Sequence, residues 1–323
     1  MKITGMKLTV TVLALATGLA FMSGEAPKVQ TVSNEMAVAA MDGNIGQIEA
    51  LLQKGVDVNH LGRVGNTPLM WAAEYGQEEV ISKLLSAKAD VNAANRWGQT
   101  ALTLAAQWGH TNIIKTLIDH GANVNAATSN GSTPLMKAAQ YGYMALAQEL
   151  IDNDANIEQV NKDGRTAMMV AAEWGSDEVG ELIIAKGGNV NHLDRNGFSS
   201  IMLAAMGGHE NSVNSLLNNG AQLTTKHDCG CTALHLAAEM GYTSIVKTII
   251  DSGADVNAVN NWGVSPLMFA AQENHVDTAK TLIKSGADTT MTDVDGQTAK
   301  KYYGRKTSKS AMGKLFAKVA KMI

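Results

Sequence analysis

Proline and charge are both scarce in this chain. With 4 Pro and 17% charged residues across 323 positions, extensive disorder is excluded. Aromatic residues reach only 5%, yet 45% of the chain is hydrophobic, enough for a real core. Excess positive charge is also missing: the net charge of -4 argues against a general nucleic-acid binder. No apolar run is long enough to span a membrane. The strongest, Leu8 to Met22, falls short of the roughly 20 residues required. Catalytic signatures are absent too, with no phosphate-binding Gly loop, no GxSxG and no His pair at metalloprotease spacing. No enzyme activity and no cofactor are expected.

The first thirty residues stand apart. Lys2 and Lys7 precede the apolar run, and small residues follow it. That order is expected of a secretory signal peptide, residues 1–26, cut between Ala20 and Ala26 and followed by a linker, 27–33. The alternatives are an uncleaved anchor or a hydrophobic helix of the fold. No Cys follows the run, which speaks against a lipid-modified N-terminus. The mature chain is therefore expected to be exported, periplasmic or secreted.

What the chain has in abundance is itself. Gly, then Thr or Ser two residues on, then Ala-Ala recurs at Gly65, Gly98, Gly131, Gly164, Gly197, Gly230 and Gly263. Each step is 33 residues with no insertion. A second signature keeps the same period, as in "KGVDVN", "AKADVN", "HGANVN" and "SGADVN". A fixed period of this length means a solenoid whose units cannot bury their apolar faces alone. Within one unit, Thr67 suits an N-cap and Pro68 the first helical position. Ala72 and Ala73 keep one helix face small, and Gly76 suits a left-handed stop. Val80, Ile81, Leu84 and Leu85 have the spacing of one buried face on a second helix. An extended loop follows.

The period, the Thr-Pro-Leu start, the Ala-Ala pair and "GADVN" resemble ankyrin repeats over residues 34–304, terminal partial repeats included. The implied fold is an all-α ankyrin-repeat solenoid of helix-turn-helix units with extended loops. One departure is systematic. The family's usual His after Thr-Pro-Leu survives only as His235, while Met70, Met136, Met169, Met202, Met268 and Thr103 replace it.

The second position after Ala-Ala reads Tyr75, Trp108, Tyr141, Trp174, Gly207, Met240 and Glu273. A buried column would not end in Gly and Glu, nor run beside Glu74, Gln107, Gln140 and Glu173. The resemblance implies that these positions face a concave groove, as do Arg63, Arg96, Trp97, Lys162, Arg165, Phe198 and Trp262 on the loops. Arg, Tyr and Trp dominate binding energy at protein interfaces, so these residues are the candidate partner-contact set. The bland alternative is that each ring lies across a seam between units as ordinary packing.

His227, Cys229, Cys231 and His235 fall within nine residues. Two thiols and two imidazoles are a zinc-type inventory. The resemblance, however, makes His235 a structural residue that points away from the loop tip, so no metal is expected. Cys229 and Cys231 are a possible disulfide, strained with one residue between them. Of the 17 Met residues, the column Met70, Met136, Met169, Met202 and Met268 is expected to fill the core near the first helix of each unit.

After Asp295 the chain has no acidic residue and eight basic ones. Residues 26–296 carry 16 Lys and Arg against 29 Asp and Glu, a net of -13. Residues 305–323 are expected to form a basic capping helix, with contact to anionic lipid as the alternative. The expected function is non-catalytic binding of a protein partner, one with a basic patch, by a monomeric chain. Toxin neutralisation of the immunity-protein kind, a secreted effector role, and oxidative-stress protection through Met and Cys chemistry are the alternatives.

Overall fold

The computed structural model describes residues 28–303 apart from Arg63, with residues 28–34 described by their backbone alone. The expected signal peptide (1–26), the basic tail (305–323) and Arg63 lie outside the described residues. Helices come in pairs. The chain runs through α1 (Lys28–Met41) with α2 (Ile45–Gln53), α3 (Pro68–Glu74) with α4 (Glu78–Ser86), and α5 (Ala101–Trp108) with α6 (Thr111–Asp119). Next come α7 (Pro134–Tyr141) with α8 (Met144–Asp152), α9 (Ala167–Trp174) with α10 (Asp177–Ala185), and α11 (Ser200–Gly207) with α12 (Glu210–Asn218). The last are α13 (Ala233–Met240) with α14 (Thr243–Asp251), α15 (Pro266–Glu273) with α16 (Val276–Lys284), and the short α17 (Ala299–Tyr303). Helix α1 begins at Lys28, within the stretch expected as a linker. No β-strand occurs among the described residues, where only two isolated bridges are found.

First helices pack on first helices and second helices on second helices, giving two parallel rows. The sequence explains why. Ala72 and Ala73, and their counterparts in every later unit, are fully or almost fully buried, so the neighbouring backbone comes close. Val80, Ile81, Leu84 and Leu85 bury the opposing face of α4. Burial of each such branched side chain contributes ~1.5–3 kcal/mol. The hydroxyl of Thr67 accepts from the Met70 N–H at 3.2 Å and Pro68 opens α3. Gly76 then leaves the helix with a φ of +77°.

Two further ties join units across the solenoid. The Asn of each "DVN" motif reaches the following unit: Asn59 Oδ1 accepts from the Asp90 N–H at 2.7 Å, and Asn92 Oδ1 from the Asn123 N–H at 2.8 Å. The rings of His110, His209 and His275 hydrogen-bond the carbonyls of Glu74, Glu173 and Glu239 in the preceding unit, at 2.9–3.1 Å. These histidines are structural staples.

Candidate functional site

The rings at the ends of the first helices stand clear of the core. A helix turns by about 100° per residue, so two positions beyond the buried Ala-Ala pair a side chain leaves the seam. Tyr75, Trp108, Tyr141 and Trp174 are accordingly 45–55% exposed. No ring contact joins one of the four to the next among the described residues. Between them the surface opens: Gln140, Tyr141, Trp174 and Glu178 border a cleft of about 450 Å³. The expectation that these rings are exposed holds in the structure.

The loop tips supply a second line of side chains. Trp97 and Trp262 are 46% and 53% exposed. The Arg96 guanidinium lies 4.9 Å from the centre of the Trp97 ring, a cation–π arrangement, and its Nε donates to the Val64 carbonyl at 3.1 Å. Trp97 borders another cleft, about 460 Å³, together with Thr128, Ser129, Asn130 and Lys137. This cleft joins Lys137 of α7 to the loop tip that carries Trp97. Lys162 is exposed on the same series of loops.

Two candidates behave differently. Arg165 is turned into the protein, its side chain only 21% exposed. It donates from Nη1 to Glu173 Oε2 at 2.7 Å and from Nε to Asp194 Oδ2 at 3.1 Å. Burial works against its charge, but Glu173 and then Asp194 outweigh it and hold the guanidinium above its ordinary value. Phe198 is half-buried and stacks on the His227 ring with centroids 4.3 Å apart. Both residues position loops.

Sequence reasoning missed Trp71 and Lys137, which share one register four residues before a rung. Trp71 is half-buried and tilts against Tyr75 with ring centroids 6.4 Å apart, as the i, i+4 spacing allows. Burial pushes the Lys137 ammonium below its usual value. Burial likewise raises the carboxyl of Glu74, and that of Glu239, where the charge of Glu273 adds to the effect.

A family model for ankyrin repeats matches in overlapping stretches, residues 36–128, 84–161, 125–194, 144–227 and 201–293. The chain belongs to the ankyrin-repeat family. No curated relative matches it. Ankyrin repeats are generally protein–protein interaction modules, and proteins built from them are typically non-catalytic scaffolds.

Within this ankyrin array one loop tip carries both cysteines. His235 does point away: Nδ1 accepts from the Thr232 N–H at 3.2 Å, and Nε2 donates to the Val264 carbonyl at 3.2 Å. His227 does not. Its Nε2 lies 3.3 Å from Cys229 Sγ, and ligand atoms of His227, Cys229 and Cys231 all lie within 4.8 Å of one another. Both thiols are free. Burial, then the neighbouring Cys229, pushes the Cys231 thiol up to about 12. Burial pushes the His227 imidazole below its usual value, against the charges of Asp228 and Asp194. The Met column is buried, with Met70, Met136, Met169, Met202 and Met268 at 0–3% exposure.

Proposed function

We propose that this ankyrin array binds a partner protein through its concave groove. The rungs Tyr75, Trp108, Tyr141 and Trp174 provide the anchors, with Arg96, Trp97, Lys162 and Trp262 on the loop tips. One observation carries the reading: four large aromatic side chains, about half exposed, recur every 33 residues at the ends of successive first helices, with two more exposed Trp on loop tips. Isolated exposed rings are ordinary, but a row of them beside two clefts is what an interface looks like before it is covered. The rungs sit on a rigid stack, so docking loses little conformational entropy. The acidic body, a net of -13 over residues 26–296, favours a partner with a basic patch. Arg165 and Phe198 support this surface by holding its loops, and Arg63 flanks it in sequence. The chain acts after export, on the reading of residues 1–26 as a signal peptide.

The test compares the wild type with Trp108→Ala/Trp174→Ala as immobilised baits. A partner is identified from the wild type and then remeasured with purified components. We expect at least ~30-fold weaker binding by the double variant, the scale of losing an interface anchor, with the fold intact by circular dichroism. Equal affinity for both baits would refute the assignment of the rungs.

A further inference from the structure

We infer that His227, Cys229 and Cys231 form a binding site for one thiophilic closed-shell cation, Zn²⁺ with a fourth position open or Cu⁺ with three ligands. The inference is independent of the groove and rests on a comparison between the loops of this one chain. In most units the residue at the position of His227 is an Asn or Asp that caps its own loop. The side-chain oxygens of Asn95, Asn161, Asp194, Asn260 and Asp293 each accept from the backbone N–H groups two and four residues on, at 2.8–3.0 Å. At His227 this cap is gone. The residues two and four positions on, whose N–H groups the cap would hold, are Cys229 and Cys231. One register position thus exchanges a capping side chain for an imidazole, and the two residues whose N–H groups it would hold carry thiols. A local rule broken without local compensation marks a site used for something else.

The geometry suits an ion. Bonds of about 2.3 Å to sulfur and 2.0–2.1 Å to nitrogen put the two ligand atoms roughly 3.5 Å apart across one metal. The observed separation of His227 Nε2 and Cys229 Sγ is 3.3 Å. The loop keeps the backbone bonds of its counterparts: the His227 N–H donates to the Cys231 carbonyl at 3.1 Å, the Asp228 N–H to the Asn196 carbonyl at 3.0 Å, and the Asn261 N–H to the Cys229 carbonyl at 3.1 Å. Supporting contacts of the kind that tune metal sites are present as well. Asn260 Nδ2 donates to Cys231 Sγ at 3.5 Å, and Phe198 fixes the plane of the His227 ring. His227 and Cys229 are half-exposed and give an ion its route in, while Cys231 closes the floor. Binding replaces two S–H protons with two metal–thiolate bonds and releases those protons to solvent. The thiol and imidazole set selects Zn²⁺ or Cu⁺ over hard cations such as Mg²⁺.

The experiment uses the full chain, reduced, with both thiols counted by alkylation, under argon. One arm titrates Co²⁺ and then Zn²⁺; the other titrates Cu⁺ against a chromophoric chelator. We expect one equivalent bound, a thiolate-to-cobalt charge-transfer band, protection of both thiols from alkylation and a higher melting temperature with the ion. The deciding variant is His227→Asn, which restores the loop's usual cap. Its ion-free form should melt at or above the wild type, so it folds, yet its affinity should fall by more than the ~10–100-fold that supporting residues command. Cys229→Ser should lose the band. Tighter retention by the Zn²⁺ or the Cu⁺ arm identifies the ion. No equimolar complex in either arm, equal affinity in His227→Asn, or closure of the thiols to a disulfide in place of metal uptake would each overturn the proposal.

Discussion

His235 shows what a single side chain adds to an otherwise uniform column. At the matching positions of other units, Met70 and Met268 sulfur accepts the cap-residue N–H of Thr67 and Ser265 at 3.4 and 3.5 Å, which a thioether can do. His235 does the same with Nδ1 and also bonds Val264 in the next unit, which Met cannot. Burial depresses its pKa to about 4. Below its ordinary value of 6.5 the unfolded chain takes up a proton that the folded chain refuses until about pH 4. Stability contributed here is therefore present above pH 6.5 and lost as pH falls through 4. His235→Met should cost ~0.5–1.5 kcal/mol at pH 7.5, one inter-unit hydrogen bond. The difference should shrink between pH 6.5 and 4. Urea titrations at several pH values check this, and a pH-independent difference would count against the buried neutral imidazole. Arg165 teaches the complementary lesson. It lies three residues from exposed Lys162, but Asp194, 29 residues on, claims it.

At the scale of the helix, the stopping glycines satisfy two demands at once. Gly175 has a φ of +70°, and a Cβ there would come within 2.4 Å of the His209 ring of the following unit. Strain and crowding then act together, and His209 would lose its bond to the Glu173 carbonyl, 3.0 Å long. Gly175→Ala should cost about 1–3 kcal/mol. Amide exchange should quicken first where α9 meets α11 and α12. The left-handed stop was legible from the sequence, because Gly at that place in the period has few other uses. The second demand was not, because the ring that presses on Gly175 belongs to another unit. The same reasoning covers His227 and His235. Both stood in the sequence as members of one cluster, but only His227 joins the thiols, since Val264 draws His235 inward.

For the whole molecule, the exposed rungs and the acidic charge lead to separate expectations. Removing Trp108 and Trp174 side chains should leave stability within about 0.5 kcal/mol, as for other surface positions, while binding is lost. A change in melting temperature as large as a core truncation gives would mean that the rings are packing residues after all. Association with a basic partner should slow as salt rises from 50 to 500 mM, because the Debye length shortens to a few ångströms. Dissociation, governed by the buried rings, should change little. Stopped-flow rates at several ionic strengths separate the two, and a salt-independent association rate would remove the electrostatic part of the proposal.

The amino-acid sequence alone determined the unit, its helix starts and stops, its buried faces and the exposure of the rungs. All of these depend on residues within one period, where spacing and type decide burial. The tertiary structure decided the fate of side chains at the loop tips: which cation is sequestered, which histidine meets sulfur, which glycine is crowded. Asp194 for Arg165, Val264 for His235 and His209 for Gly175 lie 29 to 34 residues away in the adjoining unit, and only stacking brings them close.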